Sequence, residues 1–242
     1  LLTQTTELYM DQQPRQENPN LPDLKEGEHW LEQLNHHQGY LLSKLPKHLM
    51  DELDAIDRKA RSQVHNFPHY KHLLVGNLAE EWGVTHSLGM QEYLCNMCEN
   101  LDQATQRIAK MQNSFLDRGH HLRPDFRSNW VNYQRKHDFN PPHRHTGAYS
   151  YVIWHTIPYD LEAEKKLYDV HWAENHTASF AFLYDAGDQI AERILNLEKK
   201  HQGYVAVFPS DLLHYVAPFY TSDDYRVSFS GNLVFRATPN DT

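Results

Sequence analysis

Cysteine is nearly missing from this 242-residue chain: Cys95 and Cys98 are the only two, so no disulfide framework stands behind the fold. Their CxxC spacing invites a redox or zinc reading. No second pair of ligands accompanies them, and the flanks Gln91–Leu94 and Glu99–Leu101 read as helix, so two ordinary helix thiols are expected. Long apolar runs are missing as well. None approaches the roughly 20 residues that span a bilayer, and Leu1 to Asn20 lacks the basic-then-apolar order of a secretory leader. A cytoplasmic protein without a membrane partner is the expectation. Positive charge is in deficit, with 23 Lys and Arg against 32 Asp and Glu, a net charge of -9. Neutralising phosphates needs the opposite balance, which argues against general nucleic-acid binding and leaves small molecules or peptides as partners, with a homodimer left open. No repeat of fixed period is visible.

What is abundant is histidine, with 18 residues. Most need no special role: His36-His37 and His120-His121 sit in polar, loop-like sequence where exposed imidazoles suffice. Along the chain the character changes twice. Residues 1–28 are rich in Gln, Asn, Thr, Pro and acids without periodicity, an extended or poorly ordered arm. Residues 29–123 read as a helical region. Pro46 suits a first helical turn, and Leu49, Leu53, Ile56 and Ala60 recur at three-to-four residue spacing. A second stripe runs from Leu88 to Phe115 through Tyr93, Met97, Leu101, Ile108 and Met111, with Gly119 as its stop, and Leu73 to Leu78 reads as a turn between the two.

From Arg123-Pro124 onward, aromatic and β-branched residues alternate with polar ones over short runs. Strands are expected at Arg127–Tyr133, His145–His155, Ser179–Tyr184, Tyr204–Phe208 and Arg226–Phe235, with short ones flanking Trp172 and His214. Asp185 to Gln202 is read as an insertion, a loop or a short helix around Ile190 to Leu197. The fold class is then α+β, with residues 124–242 forming a jelly-roll (double-stranded β-helix) core and the helical region packing on it.

Three stretches carry chemistry. In Pro142-His143-Arg144-His145, residues two apart on a strand share a face, so two imidazoles can present to one cavity. A third imidazole is offered by His214, behind the strand that Gly203 opens and the turn that Pro209-Ser210 makes. In Arg226-Val227-Ser228-Phe229-Ser230, alternation puts Arg226, Ser228 and Ser230 on one face; an inward arginine asks for an anion, and its fork suits a carboxylate. The bland alternatives are a core histidine and a solvated arginine.

Taken together, HxH, then G-x-x-x-x-F-P-S-x-x-x-H-x-V-x-P, then R-x-S resemble the 2-oxoglutarate- and Fe(II)-dependent oxygenase superfamily, over about Trp130 to Phe235. Within it, the nearest likeness is to the uncharacterised 2OG-Fe(II) oxygenases of bacteria and phages. The resemblance implies Fe(II) held by His143, His145 and His214, and 2-oxoglutarate as cosubstrate. Its distal carboxylate would lie at Arg226 and Ser228, with Tyr151 and Asn132 as further contacts. Asn132 and Tyr133 have opposite parity, so one of them faces inward. Trp130 and Trp154 are left as core aromatics.

One position departs from the superfamily's pattern, which has HxD or HxE where this chain has His145. Three accounts follow: a three-histidine centre, a carboxylate from elsewhere with Asp138 and Asp160 nearest in sequence, or lost activity. The first is favoured. Two other classes compete, a cupin-type three-histidine dioxygenase that ignores 2-oxo acids and a non-catalytic jelly-roll interaction module with a vestigial site. The implied activity is hydroxylation of a substrate C–H bond, with a preference for a protein or peptide side chain.

Overall fold

The computed structural model of the chain describes residues 20–62, 67–69, 76–78, 80–108, 120–167 and 175–239. Among these residues strand outweighs helix. In chain order the elements are β1 (His29–Gln33), β2 (Gly39–Lys44), α1 (Lys47–Ser62), β3 (Glu80–Gly83), α2 (Leu88–Thr105), β4 (His120–Gln134), β5 (Asn140–His143) and β6 (Tyr149–Thr156). Then come α3 (Leu161–Lys166), β7 (Phe180–Asp185), β8 (Ile190–Leu195), β9 (Tyr204–Pro209), β10 (Leu213–Val216) and β11 (Arg226–Pro239). A seven-stranded sheet has the order β1-β2-β9-β6-β11-β4-β3, and a four-stranded sheet has the order β5-β10-β7-β8. The strand pairs within both sheets are antiparallel.

Alternation along the strands of the large sheet builds two cores. Leu41, Val131, Tyr133, Tyr149, Tyr151, Ile153, Val205, Val207, Val227 and Phe229 point to one face, where Leu49 and Leu53 of α1 and Met90, Leu94, Met97 and Leu101 of α2 cover them. The intervening residues Tyr40, Leu42, Val152, Trp154, Tyr204, Ala206 and Phe208 point to the other face and meet Phe180 and Phe182 of the small sheet. Each such large side chain removed from water contributes about 1.5–3 kcal/mol. The space that remains between the sheets holds the candidate site.

Local chemistry explains the helices. Pro46 stands just before α1 and its carbonyl accepts from Leu49 and Met50 N–H. Ser87 caps α2 by accepting from Met90 N–H, and Glu52 of α1 holds Ser87 in turn through its backbone N–H and its hydroxyl. The helix stops where Gln106 turns left-handed, at φ 54. Cys95 and Cys98 lie on α2 as free thiols; burial pushes Cys95 up to about 11 and Cys98 well up, so neither is a reactive thiolate.

Several expectations are corrected. Residues 29–123 are not purely helical: β1, β2, β3 and the start of β4 come from them and extend the large sheet. Ile190 to Leu195 is strand β8, not a loop or helix. His120 and His121 open β4 and are not in a loop. The arm is described only from Asn20. Residues 20–28 run along the large sheet, with Leu21 buried and Tyr204 Oη bridging Leu24 N–H and the Pro22 carbonyl. The readings at Leu73–Val75, Met111, Phe115, Gly119 and Trp172 fall outside the described residues. No helix among the described residues is long and apolar enough to cross a membrane.

Candidate metal and anion site

His143 is the last residue of β5 and stands directly opposite His214 of β10 in the antiparallel pair. His145 follows in the turn that carries the chain from the small sheet into β6 of the large one. The three rings converge, with centroids 4.9 Å apart for His143 and His145, 4.4 Å for His143 and His214, and 5.1 Å for His145 and His214. One nitrogen from each lies within 4.8 Å of the other two. Nδ1 of His143 donates to the Pro141 carbonyl at 2.7 Å, and Nδ1 of His214 donates to the Leu212 carbonyl at 2.9 Å. A carbonyl can only accept, so both rings carry their proton on Nδ1 and leave the Nε2 lone pair for a ligand.

Burial keeps these imidazoles neutral. It lowers His143, lowers His145 to about 4 with help from His143, and puts His214 well below the ordinary value, with both neighbours adding to the effect. Phe180 stacks on His214 at 5.6 Å and Phe208 meets it edge-on at 4.9 Å, which supplies the low-dielectric wall. Trp130 packs 5.7 Å from His145. Three proton-free nitrogen donors on one side of a cavity suit a divalent transition metal. Among the described residues no carboxylate joins the group. Asp138 is turned to Arg135 N–H and Asp160 caps α3 through Ala163 N–H, so neither supplies the carboxylate missing at His145.

The turn that delivers His145 is held by backbone. His145 N–H donates to the Ser210 carbonyl, Ser210 N–H to the Ala148 carbonyl, and Ala148 N–H to the Leu233 carbonyl, at 2.8, 3.1 and 2.8 Å. The Pro209-Ser210 turn seen in the sequence therefore positions His145 as well as His214. Gly147 lies inside this lattice at φ 140, where an added Cβ would come within 2.8 Å of the Leu233 carbonyl oxygen and 3.2 Å of Ser210 Oγ. Gly147→Ala is expected to lower stability by about 1–3 kcal/mol and to weaken metal binding through His145, which thermal unfolding and metal titration measure together.

The cavity extends from the triad along β4 and β11, lined by Trp130, Asn132, Gln134, Arg226, Ser228 and Ser230 among others. Asn132 faces it, and Tyr133 faces the helices, where its hydroxyl donates to Asp57 at 2.8 Å. Asn132 Nδ2 donates to the hydroxyls of Ser228 and Ser230 at 3.2 and 3.3 Å, which leaves both serine O–H groups to donate elsewhere. Arg226 is 4% exposed. Its Nε and Nη2 donate to Gln134 Oε1 at 3.0 and 2.7 Å, Nη2 also to the Ala217 carbonyl at 2.7 Å, and Nη1 to the Ala178 carbonyl at 3.0 Å and Tyr159 Oη at 3.5 Å. Among the described residues every hydrogen-bond partner of this buried cation is neutral.

Tyr151 is among the residues lining the cavity, but its hydroxyl is turned from it, binding His86 Nε2 at 2.8 Å and Asn129 Oδ1 at 3.0 Å on the helix side of the large sheet. Tyr151 lies an even number of residues from His143 and His145, a parity that would turn it inward on one continuous strand, but the turn between β5 and β6 breaks it. Trp130 and Trp154, expected as core only, both line the cavity. Gln134 and Glu81 line it too and were missed. Gln134 shares the parity of Asn132, a signal the alternation held; Glu81, 2% exposed on the edge strand β3, had none.

The protonation state of buried histidines also sets a pH dependence. His145 and His201 have folded values near 4, burial being the main cause, against 6.5 when unfolded. The unfolded chain therefore takes up protons first, so their contribution to stability is complete above about pH 6.5 and is lost as the pH falls toward 4. Thermal midpoints of the metal-free protein are expected to fall steadily between pH 7 and 4.5, and His201→Gln is expected to flatten that slope.

Residues 128–232 match the family described as "Putative 2OG-Fe(II) oxygenase". No curated protein matches the sequence. Among solved structures, a prolyl-4-hydroxylase from Pseudomonas putida aligns at 16% identity over 82% of this chain and 94% of its own, with a TM-score of 0.45. An oxidoreductase of the 2OG-Fe(II) oxygenase family from Burkholderia pseudomallei aligns at 15% identity over 80% and 83%, with a TM-score of 0.40.

Proposed function

We propose that this chain, whose residues 128–232 match a 2OG-Fe(II) oxygenase family, is a 2-oxoglutarate- and Fe(II)-dependent oxygenase that hydroxylates a small molecule or a peptide side chain in the cavity between its two sheets. Fe(II) is the metal and 2-oxoglutarate the cosubstrate of this enzyme family. The sheets are read as a jelly-roll. Support comes from strand order: counted one to eight, β4 to β11 fall as 6-3-8-1 within the large sheet and 2-7-4-5 in the small one, which is how two interleaved Greek keys distribute their strands.

The observation that carries the site reading is that a neutral histidine triad and a buried guanidinium with only neutral hydrogen-bond partners line one cavity. His143, His145 and His214 would hold Fe(II). Three neutral ligands leave both charges of the ion to be balanced, and a 2-oxo diacid brings one carboxylate to the metal and another to Arg226. When bound, the iron and cosubstrate supply the oxidising chemistry, in which oxygen and the 2-oxo acid yield succinate and CO2 as the substrate gains a hydroxyl.

The chain's own residues orient and exclude. Arg226 fixes the distal carboxylate, and Asn132 holds Ser228 and Ser230 with their O–H groups turned to donate to it. Trp130, Val152, Phe180 and Phe208 keep water from the reacting face. A peptide side chain is the preferred substrate, on the support of the net charge of -9. The test is succinate formation by the purified protein with Fe(II), oxygen and 2-oxoglutarate. Iron-dependent succinate that N-oxalylglycine suppresses is the expected result. No succinate and no anaerobic Fe(II) binding at low micromolar concentration would sink the enzyme reading, and Fe(II) binding with indifference to 2-oxo acids would return the cupin alternative.

A further inference from the structure

Arg226 raises a question that the site reading leaves open. A guanidinium has five N–H donors, and here each one is engaged: Nε and one Nη2 donor by Gln134, the other Nη2 donor by the Ala217 carbonyl, and the two Nη1 donors by the Ala178 carbonyl and Tyr159 Oη. A carboxylate arriving at Arg226 must displace one of these acceptors.

The acceptors differ in how easily they leave. The Ala217 and Ala178 carbonyls belong to the backbone. Ala217 N–H is bonded to the Ser179 carbonyl, and Ala178, a non-glycine residue at φ 62, also accepts the Tyr159 hydroxyl at 2.9 Å. Such a backbone conformation is kept only where its surroundings enforce it. Gln134, in contrast, reaches Arg226 through a side chain from the last residue of β4, whose Nε2 donates to the Asp138 carbonyl, and side-chain torsions alone can turn its Oε1 away without moving backbone. Its single oxygen is shared between Nε and Nη2, the paired donors that bind the two oxygens of a carboxylate side by side. Gln134 brings no charge to that edge. A carboxylate on the same edge gives each donor its own oxygen and neutralises the charge.

We propose that Gln134 is an internal stand-in for the distal carboxylate of the cosubstrate: it satisfies the Nε–Nη2 edge of Arg226 and yields that edge when the cosubstrate binds, which makes it a determinant of cosubstrate affinity. The proposal rests on Arg226 being the anion site. Occupied by a neutral amide, the edge is held weakly enough to exchange; occupied by a residue with its own negative charge, it would be closed.

The experiment measures 2-oxoglutarate binding to the anaerobic Fe(II)-loaded protein for the parent chain, Gln134→Glu, Gln134→Ala, Gln134→Met and Arg226→Ala, with Fe(II) affinity and thermal midpoint alongside. Gln134→Glu is expected to weaken 2-oxoglutarate by about 100-fold with Fe(II) affinity unchanged. Gln134→Ala and Gln134→Met are expected to bind it at least as tightly as the parent and to gain more thermal stabilisation from it. Parent-like binding by Gln134→Glu, or a loss in Gln134→Ala and Gln134→Met equal to that of Arg226→Ala, would overturn the proposal, the latter because Gln134 would then only hold Arg226 in place. Parent-like binding by Arg226→Ala would overturn the anion-site reading itself, a separate outcome. Should Gln134→Glu fail to fold, the two uncharged variants still decide, since a stand-in and a structural prop move their affinities in opposite directions.

Discussion

His214→Ala is expected to remove Fe(II) binding, by more than about 100-fold in affinity, and to abolish iron-dependent succinate formation. Losing a residue that merely orients a metal ligand already costs 10–100-fold, and His214 is itself one of three ligands in the proposed site. It is also the ligand that joins two strands: His143 lies opposite it on β5, while Phe180 and Phe208 fix its ring from β7 and β9. His143 and His145, two residues apart, would remain as a bidentate pair without the third face. Removing a side chain that is 3% exposed also opens a void, which lowers stability by about 2–4 kcal/mol. His201→Ala separates the two effects. His201 is 1% exposed and packs on Tyr204 away from the cavity, so its loss should lower the thermal midpoint while Fe(II) binding stays at the parent level. If both variants lose iron equally, the triad is not the metal site.

What the sequence disclosed about this site depended on how local each signal was. Arg226, Ser228 and Ser230 were readable because alternation on β11 is uninterrupted across them. His214 was readable because the Gly203-to-Pro209 strand and its turn are contiguous with it. Asn132 and Tyr133 could not be told apart along the strand, since what separates them is α1: Asp57 accepts the Tyr133 hydroxyl and draws that face toward the helices. The direction of the Tyr151 hydroxyl was hidden for a related reason. Counting parity from His143 assumes one strand, and residues 144–148 instead carry the chain from one sheet to the other. The edge strands were hidden because their partners are remote. β8 contains Glu192 and Arg193, which look like solvent-facing charges until Glu32 of β1 pairs with Arg193 at 2.8 Å. β1 and β2 are only five and six residues long and gain their place by pairing with each other and, through β2, with β9, more than 150 residues away.

Arg226→Ala is expected to raise the 2-oxoglutarate requirement by more than about 100-fold while leaving Fe(II) affinity at the parent level. It should also lower stability by about 2–4 kcal/mol, because Gln134 Oε1 and the Ala178 and Ala217 carbonyls each lose a buried donor. Stability alone would not distinguish a binding role from a structural one, so the choice of 2-oxo acid carries the test. A 2-oxo acid with no distal carboxylate has nothing to offer Arg226; its binding to the iron-loaded protein should be equally weak in the parent and in Arg226→Ala. 2-Oxoglutarate should bind far better than that acid in the parent and no better in the variant. Arg226→Lys keeps the charge but lacks the planar fork, and an ammonium cannot reach Gln134, Ala178 and Ala217 together with the same geometry. It should fall between the two, recovering part of the preference for the diacid. A discrimination between the two acids that survives in Arg226→Ala would place the distal carboxylate elsewhere in the cavity.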